Sequence, residues 1–206
     1  MAATYQPSQW LVPENSNTDK VGNYSFQFDG STTLIDTGPF TLIDNLSQFS
    51  ISLWYKPNFV NATYRIWGKY DSTNTWIGLQ ATNTGQIQGI VSNGGLAYST
   101  GAAGELTADT WNHLVLTFDG TEGTPADRIK MYVDKTETAS YTVSGTPPTT
   151  TPPTWITNNL WIGKSGFASD IVNGEISEVS IFDYALTSGQ ITTLWGNATD
   201  GVGNPM

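Results

Sequence analysis

The chain lacks cysteine altogether, so disulfide staples and thiolate metal sites are excluded. It has a single histidine, His113, which excludes multi-histidine metal centres as well. Basic residues are scarce. Eight Lys and Arg against eighteen Asp and Glu give a net charge of −10 and a pI near 4.2. That sign argues against nucleic acid or an anionic membrane as a partner. Charged residues of either sign make up only 13%, about half the usual quarter. No apolar run approaches the ~20 residues of a membrane-spanning helix, so no membrane insertion is expected. The opening Met1-Ala2-Ala3-Thr4-Tyr5-Gln6-Pro7 has neither the basic nor the apolar region of a secretory leader. The chain is thus expected to be cytosolic, exported by another route, or cut from a longer polypeptide.

Polarity comes instead from Thr, Ser and Asn, together 62 of 206 residues. Four Asn-x-Ser/Thr sequons, at Asn23, Asn45, Asn61 and Asn197, are close to the number chance supplies in so Ser/Thr-rich a chain. Aromatics reach 12%, which argues against disorder. A chain of this length can bury a full core as one domain.

Period-two alternation dominates the pattern. In FSISLWYKP, Phe49, Ile51, Leu53 and Tyr55 share one face, while Ser50, Ser52, Trp54 and Lys56 share the other. Pro57 ends that strand. Further strands are expected at 24–28, 64–70, 76–80, 86–91, 111–118, 128–134, 140–143, 159–163 and 174–182. Turn signals separate them, among them Asp29-Gly30, Asn93-Gly94-Gly95 and Asp119-Gly120. One helix is expected in ALTSGQITTLW, with Thr187 as N-cap and Gln190 completing a capping box. Ten or more short strands without βαβ spacing predict an all-β antiparallel sandwich or barrel, with one short C-terminal helix.

The order of pieces resembles the laminin G-like branch of the concanavalin A-like lectin/glucanase superfamily, in its bacterial and phage surface-protein form. The carrying segments are FDGSTTLIDTG (28–38), FSISLWYKP (49–57), IWGKYD (66–71) and WNHLVLTFDG (111–120). They continue with IKMYVD (129–134), LWIGK (160–164) and GEISEVSIFDYALTSGQITTLW (174–195). Lys135 stands where the family prefers glycine. The resemblance implies an antiparallel two-sheet jelly-roll sandwich over residues 22–195, between an extended N-terminal segment, 1–21, and a C-terminal connector, 196–206. Both flanks look like those of one module in a larger polypeptide.

Candidate chemistry follows. Glucanases of this superfamily aim paired carboxylates from alternate strand positions at one glycosidic bond. The nearest string here is GEISE, where Glu175 and Glu178 lie three apart and so on opposite faces of a regular strand. Catalysis is therefore not expected. His113, inside WNHLVLTF, reads as a hydrogen-bonded sheet histidine, with a Ser- or Thr-based dyad as the alternative. The superfamily often holds a structural Ca²⁺ between its first turn and last strand, which implies Asp29 and Glu178 as ligands. The alternative is a turn-capping Asp29 and a solvated Glu178. Trp54, Trp111 and Trp161 sit in the strongest strand patterns and are expected in the core. Trp76, Tyr98 and Trp155 follow loops and are candidates for sugar stacking at the rim, with loop packing as the alternative.

These features point to a non-catalytic carbohydrate- or surface-binding adhesion module of a viral or bacterial surface protein. Its expected partners are a glycan or cell-surface polysaccharide and neighbouring modules or virion proteins. Its expected place is a virion or extracellular surface. The alternatives are a structural or decoration component without glycan binding, and a divergent polysaccharide hydrolase or lyase.

Overall fold

Alternation becomes strand nearly wherever the sequence shows it. The computed structural model describes residues 25–138, 142–153, 158–164 and 170–196. Among these residues the strands are, in chain order, β1 (Phe26–Asp29), β2 (Ile35–Pro39), β3 (Gln48–Pro57), β4 (Tyr64–Ser72), β5 (Thr75–Ala81), β6 (Ile87–Asn93) and β7 (Tyr98–Thr100). They continue with β8 (Asn112–Asp119), β9 (Ile129–Val133), β10 (Thr136–Glu137), β11 (Thr142–Ser144), β12 (Asn159–Ile162) and β13 (Asn173–Phe182). One helix follows, α1 (Ser188–Trp195). The strands form a six-stranded sheet, β1-β13-β3-β8-β9-β10, and a seven-stranded sheet, β11-β7-β6-β5-β4-β12-β2. This is the expected all-β two-sheet sandwich. The segments expected to flank it, 1–21 and 196–206, lie outside the described residues apart from Gly196.

The core fills the space between the sheets. From the six-stranded sheet, Phe49, Ile51 and Leu53 stand in register beside Phe118, Leu116 and Leu114 of β8. Those in turn neighbour Ile129, Met131 and Val133 of β9. From the seven-stranded sheet, Trp67, Ile77, Leu79, Ile87 and Val91 face them, all buried. Phe49 meets Trp67 edge to face across the sandwich, with ring centroids 6.4 Å apart. Burying each such side chain contributes about 1.5–3 kcal/mol. Gly89 of β6 also faces inward. A Cβ there would lie 2.5 Å from Leu116 Cδ1, so the two sheets approach closely at this point.

The core also holds an ion pair. Lys69 of β4 is fully buried, and its Nζ lies 2.6 Å from Asp44 Oδ1 and donates to the Phe40 carbonyl. It thereby ties the 40–44 loop to the sheet. The loop at 145–153, rich in Pro and Thr, docks on the same region: Thr151 Oγ1 donates to the Ile43 carbonyl and accepts from the Leu46 N–H.

The outer face of the six-stranded sheet is covered too. Thr187 caps α1 by accepting from Gln190 N–H, and the Gln190 side chain returns to the Thr187 N–H, as the capping box predicts. Ile191 packs on Val115 and Tyr132, and Trp195 joins Trp54 and Trp111. Trp54 and Trp111 are therefore buried, but in a cluster outside the main core. Trp161 departs from expectation. It is only half-buried, on the outer face of β12, with Lys164 Nζ 5.1 Å above its ring.

Candidate functional site

The outer face of the seven-stranded sheet carries a polar row that runs across the strands. Register places Arg65 of β4 beside Gln80 of β5, Gln80 beside Gln88 of β6, and Gln88 beside Thr100 of β7. Their side chains are joined in that order. Arg65 Nη1 donates to Gln80 Oε1, Gln80 Nε2 donates to Gln88 Oε1, and Gln88 Nε2 donates to Thr100 Oγ1 at 2.8 Å. Thr142 of β11 stands opposite Thr100 and extends the row. At its other end Arg65 Nε lies 3.1 Å from Asp170 Oδ2. Burial lowers the Arg65 pKa, and the Asp170 carboxylate opposes that shift.

A second row lies alongside it, in the order Gly68, Gly78, Ile90, Tyr98. Trp161 of β12 stands opposite Gly68. The Trp76 ring folds over Gly78, where an added Cβ would be 2.9 Å from Trp76 Cζ3. The Arg65 guanidinium covers the ring 4.9 Å from its centroid, and Tyr70 meets it edge-on at 6.2 Å. Trp76 is only 5% exposed. It underlies the polar row and is not a rim platform, because its neighbours on either side are glycine and an arginine that stacks on it. Tyr98 is half-buried on this outer face, one register from Thr100. Trp155 lies outside the described residues. Sequence reasoning missed Arg65, Gln80, Gln88, Thr100 and Trp161. The signal was present in WIGLQ and QIQGIV, where the glutamines fall on the polar phase of the alternation.

The structure does not bring Asp29 and Glu178 together. Strands β1 and β13 pair, but the register sets Asp29 opposite Asn173. Glu178 lies five residues further along β13, a separation on the order of 15 Å. Asp29 Oδ1 accepts from the N–H groups of Ser31, Thr32 and Thr33 at 2.8–2.9 Å, and Oδ2 accepts from Thr32 Oγ1 at 2.7 Å. Those hydrogen bonds, the Thr33 one foremost, hold its carboxyl well below the usual range. Both oxygens are engaged by the turn, so the pair does not fit a shared calcium site. Among the described residues no cluster of three or more acidic or imidazole groups is placed to hold a metal.

Glu178 is re-aimed by a β-bulge. Register slips between Ser177 and Ser180, and Glu178 adopts a φ of 54°. A regular strand would set Glu175 and Glu178 on opposite faces. The bulge instead brings Glu178 to line a pocket with Ser52, Trp54, His113, Ser180 and Leu194, on the helix side of the sheet. Glu175 is in register with Lys56 and paired with it at 3.2 Å. His113 is 1% exposed, with Nε2 2.7 Å from Ser52 Oγ and its ring 5.2 Å from that of Trp54. Burial pushes its pKa down to about 4, so the imidazole is neutral near pH 7. Nδ1 has no hydrogen-bond partner among the described residues. The expected sheet histidine is thus hydrogen-bonded, to Ser52, and among the described residues no carboxylate meets its Nδ1 as in a Ser-His-Asp relay.

A sequence model of the concanavalin A-like lectin/glucanases superfamily matches residues 28–192. No curated protein matches by sequence. Solved structures share the fold at low identity. A carbohydrate-binding module of a Ruminococcus gnavus sialidase, solved with α2,3-sialyllactose, is 13% identical with a TM-score of 0.61, over 84% of this chain and 98% of that one. Domain 4 of an extracellular arabinanase from Geobacillus stearothermophilus, solved with arabinotriose, is 21% identical with a TM-score of 0.57, over 82% and 75%. A Streptococcus pneumoniae sialidase is 18% identical with a TM-score of 0.65, over 82% of this chain and only 27% of that enzyme.

Proposed function

The chain belongs to the concanavalin A-like lectin/glucanase superfamily, and from that premise we propose that it is a non-catalytic glycan-binding module. Its binding surface is the outer face of the seven-stranded sheet. The observation that carries this reading is the side-chain row Arg65–Gln80–Gln88–Thr100. Gln88 and Thr100, both partly exposed, carry an amide and a hydroxyl that donate and accept, so they can trade water for sugar hydroxyls at little net cost, while buried Gln80 holds the row together. Tyr98 and Trp161 flank the row and offer apolar faces for the C–H side of a ring. The similar domains solved with a sialylated and with a neutral oligosaccharide support the same reading.

The ligand is a neutral oligosaccharide. Asp170 already offsets the charge of Arg65, and the net charge of −10 repels polyanions. Sites of this kind bind near millimolar, about −4 kcal/mol, and become useful by repetition, where avidity adds ~10²–10⁴. That suits an adhesion unit displayed in many copies on an extracellular or virion surface. The test is a glycan array probed with the multimerised chain and with its Tyr98→Ala and Gln88→Ala variants. Binding of a neutral glycan that both substitutions weaken supports the proposal. No binding above background points to a structural role instead.

A further inference from the structure

The polar pocket beneath α1 is not part of the surface just described. It lies on the other sheet, and its volume is about 310 Å³. Ligand pockets run from about 300 Å³ upward, so it can take one small ring and little more. Its polar lining is Ser52, His113, Glu178 and Ser180, and its apolar lining is Trp54, Val179 and Leu194. Two features set it apart from a packing defect. The first is the bulge at Glu178, where a non-glycine residue is held at positive φ; such conformations cost about 1–3 kcal/mol and persist where the surroundings enforce them. The second is a buried imidazole with one nitrogen bonded to Ser52 and Nδ1 without a partner among the described residues.

The geometry points to a second carbohydrate site, one that takes a single neutral pyranose, free or as the terminal unit of a chain. The chemistry favours this over the other ligand classes in turn. Of the residues that line the pocket only Glu178 is charged, which disfavours anions. One carboxylate is too few for a divalent metal. The polar groups disfavour a purely apolar guest. An ammonium only donates, and cannot serve Nδ1 when that atom carries the proton. A hydroxyl donates and accepts, so it suits His113 in either tautomer, and it suits both serines. Glu178 accepts from sugar hydroxyls, and Trp54 and Leu194 supply apolar wall.

His113 is the only histidine in the chain, so its imidazole gives one unambiguous NMR signal inside the pocket. The experiment titrates the chain with methyl glucoside, galactoside, mannoside and xyloside, each to about 10 mM, well above a millimolar Kd. Expected is a saturable shift of the His113 imidazole with one or more pyranosides, unaffected by Tyr98→Ala and weakened at least tenfold by Glu178→Gln. Leu194→Trp, which fills the pocket from the helix side, abolishes the shift. Melting curves for each variant verify that it is folded, and a variant that fails to fold is replaced by Ser180→Val. The inference is overturned if no pyranoside moves the signal, if glycerol moves it equally at the same concentration, or if the shift survives Glu178→Gln and the filled pocket.

Discussion

Ser52 Oγ and His113 Nε2 lie 2.7 Å apart on neighbouring strands β3 and β8, on the face of the sheet that carries α1. The bond fixes the imidazole while burial keeps it neutral, and this makes the fold acid-sensitive.

Stability should fall between pH 6.5 and 4. Below the unfolded-state pKa of about 6.5 the unfolded chain takes up a proton that folded His113 refuses until about pH 4. The stability present above pH 6.5 is thus lost as pH falls, by about 3 kcal/mol in all at 1.36 kcal/mol per unit. Urea denaturation at pH 4.5, 5.5, 6.5 and 7.5 measures it. A His113→Gln variant should show a much flatter profile over that range.

Removing half of the buried ion pair should be costly. Lys69→Met leaves Asp44 in the interior without its cation, and such changes cost about 3–5 kcal/mol. Lys69→Met combined with Asp44→Leu should recover much of that loss. A double-mutant cycle in urea gives the coupling directly.

Asp29→Ala should lower the melting temperature more than Asp29→Asn, since asparagine keeps one acceptor for the turn N–H groups. Melting temperatures in EDTA and in excess Ca²⁺ should coincide. A calcium-dependent rise that Asp29→Asn removes would restore the shared metal site that the register argues against.

Gly89→Ala should destabilise by about 1–3 kcal/mol. The added methyl meets Leu116, Met131 and Ile129 across the sandwich, and overpacked cores cost that much. Thermal melting of the single variant suffices.

On the binding face, Tyr98→Ala should weaken glycan binding about tenfold and Gln88→Ala about fivefold, the latter because losing one neutral hydrogen bond to the sugar costs about 1 kcal/mol. Calorimetric titration with the best array ligand reads both.

Much was legible in the sequence because it is local. Phe49, Ile51, Leu53 and Tyr55 at alternate positions determine a strand with one buried face, whatever lies opposite. Thr187 and Gln190 determine where α1 begins, since a capping box is closed within four residues. The all-β class, the sandwich and the superfamily follow from such elements in order. Register and coverage are not local, and only the tertiary structure decided them. Pairing of β1 with β13 was foreseeable, but the register that parts Asp29 from Glu178 depends on every contact along both strands. One inserted bulge residue turned Glu178 to the helix side, against the period-two expectation. Trp76 reads as a rim aromatic because it follows a polar loop, yet Gly78 beside it and Arg65 above it bury it. The row Arg65–Gln80–Gln88–Thr100 is invisible along the chain because its members come from four strands, and hydrogen bonding across a sheet joins residues by register rather than by sequence distance.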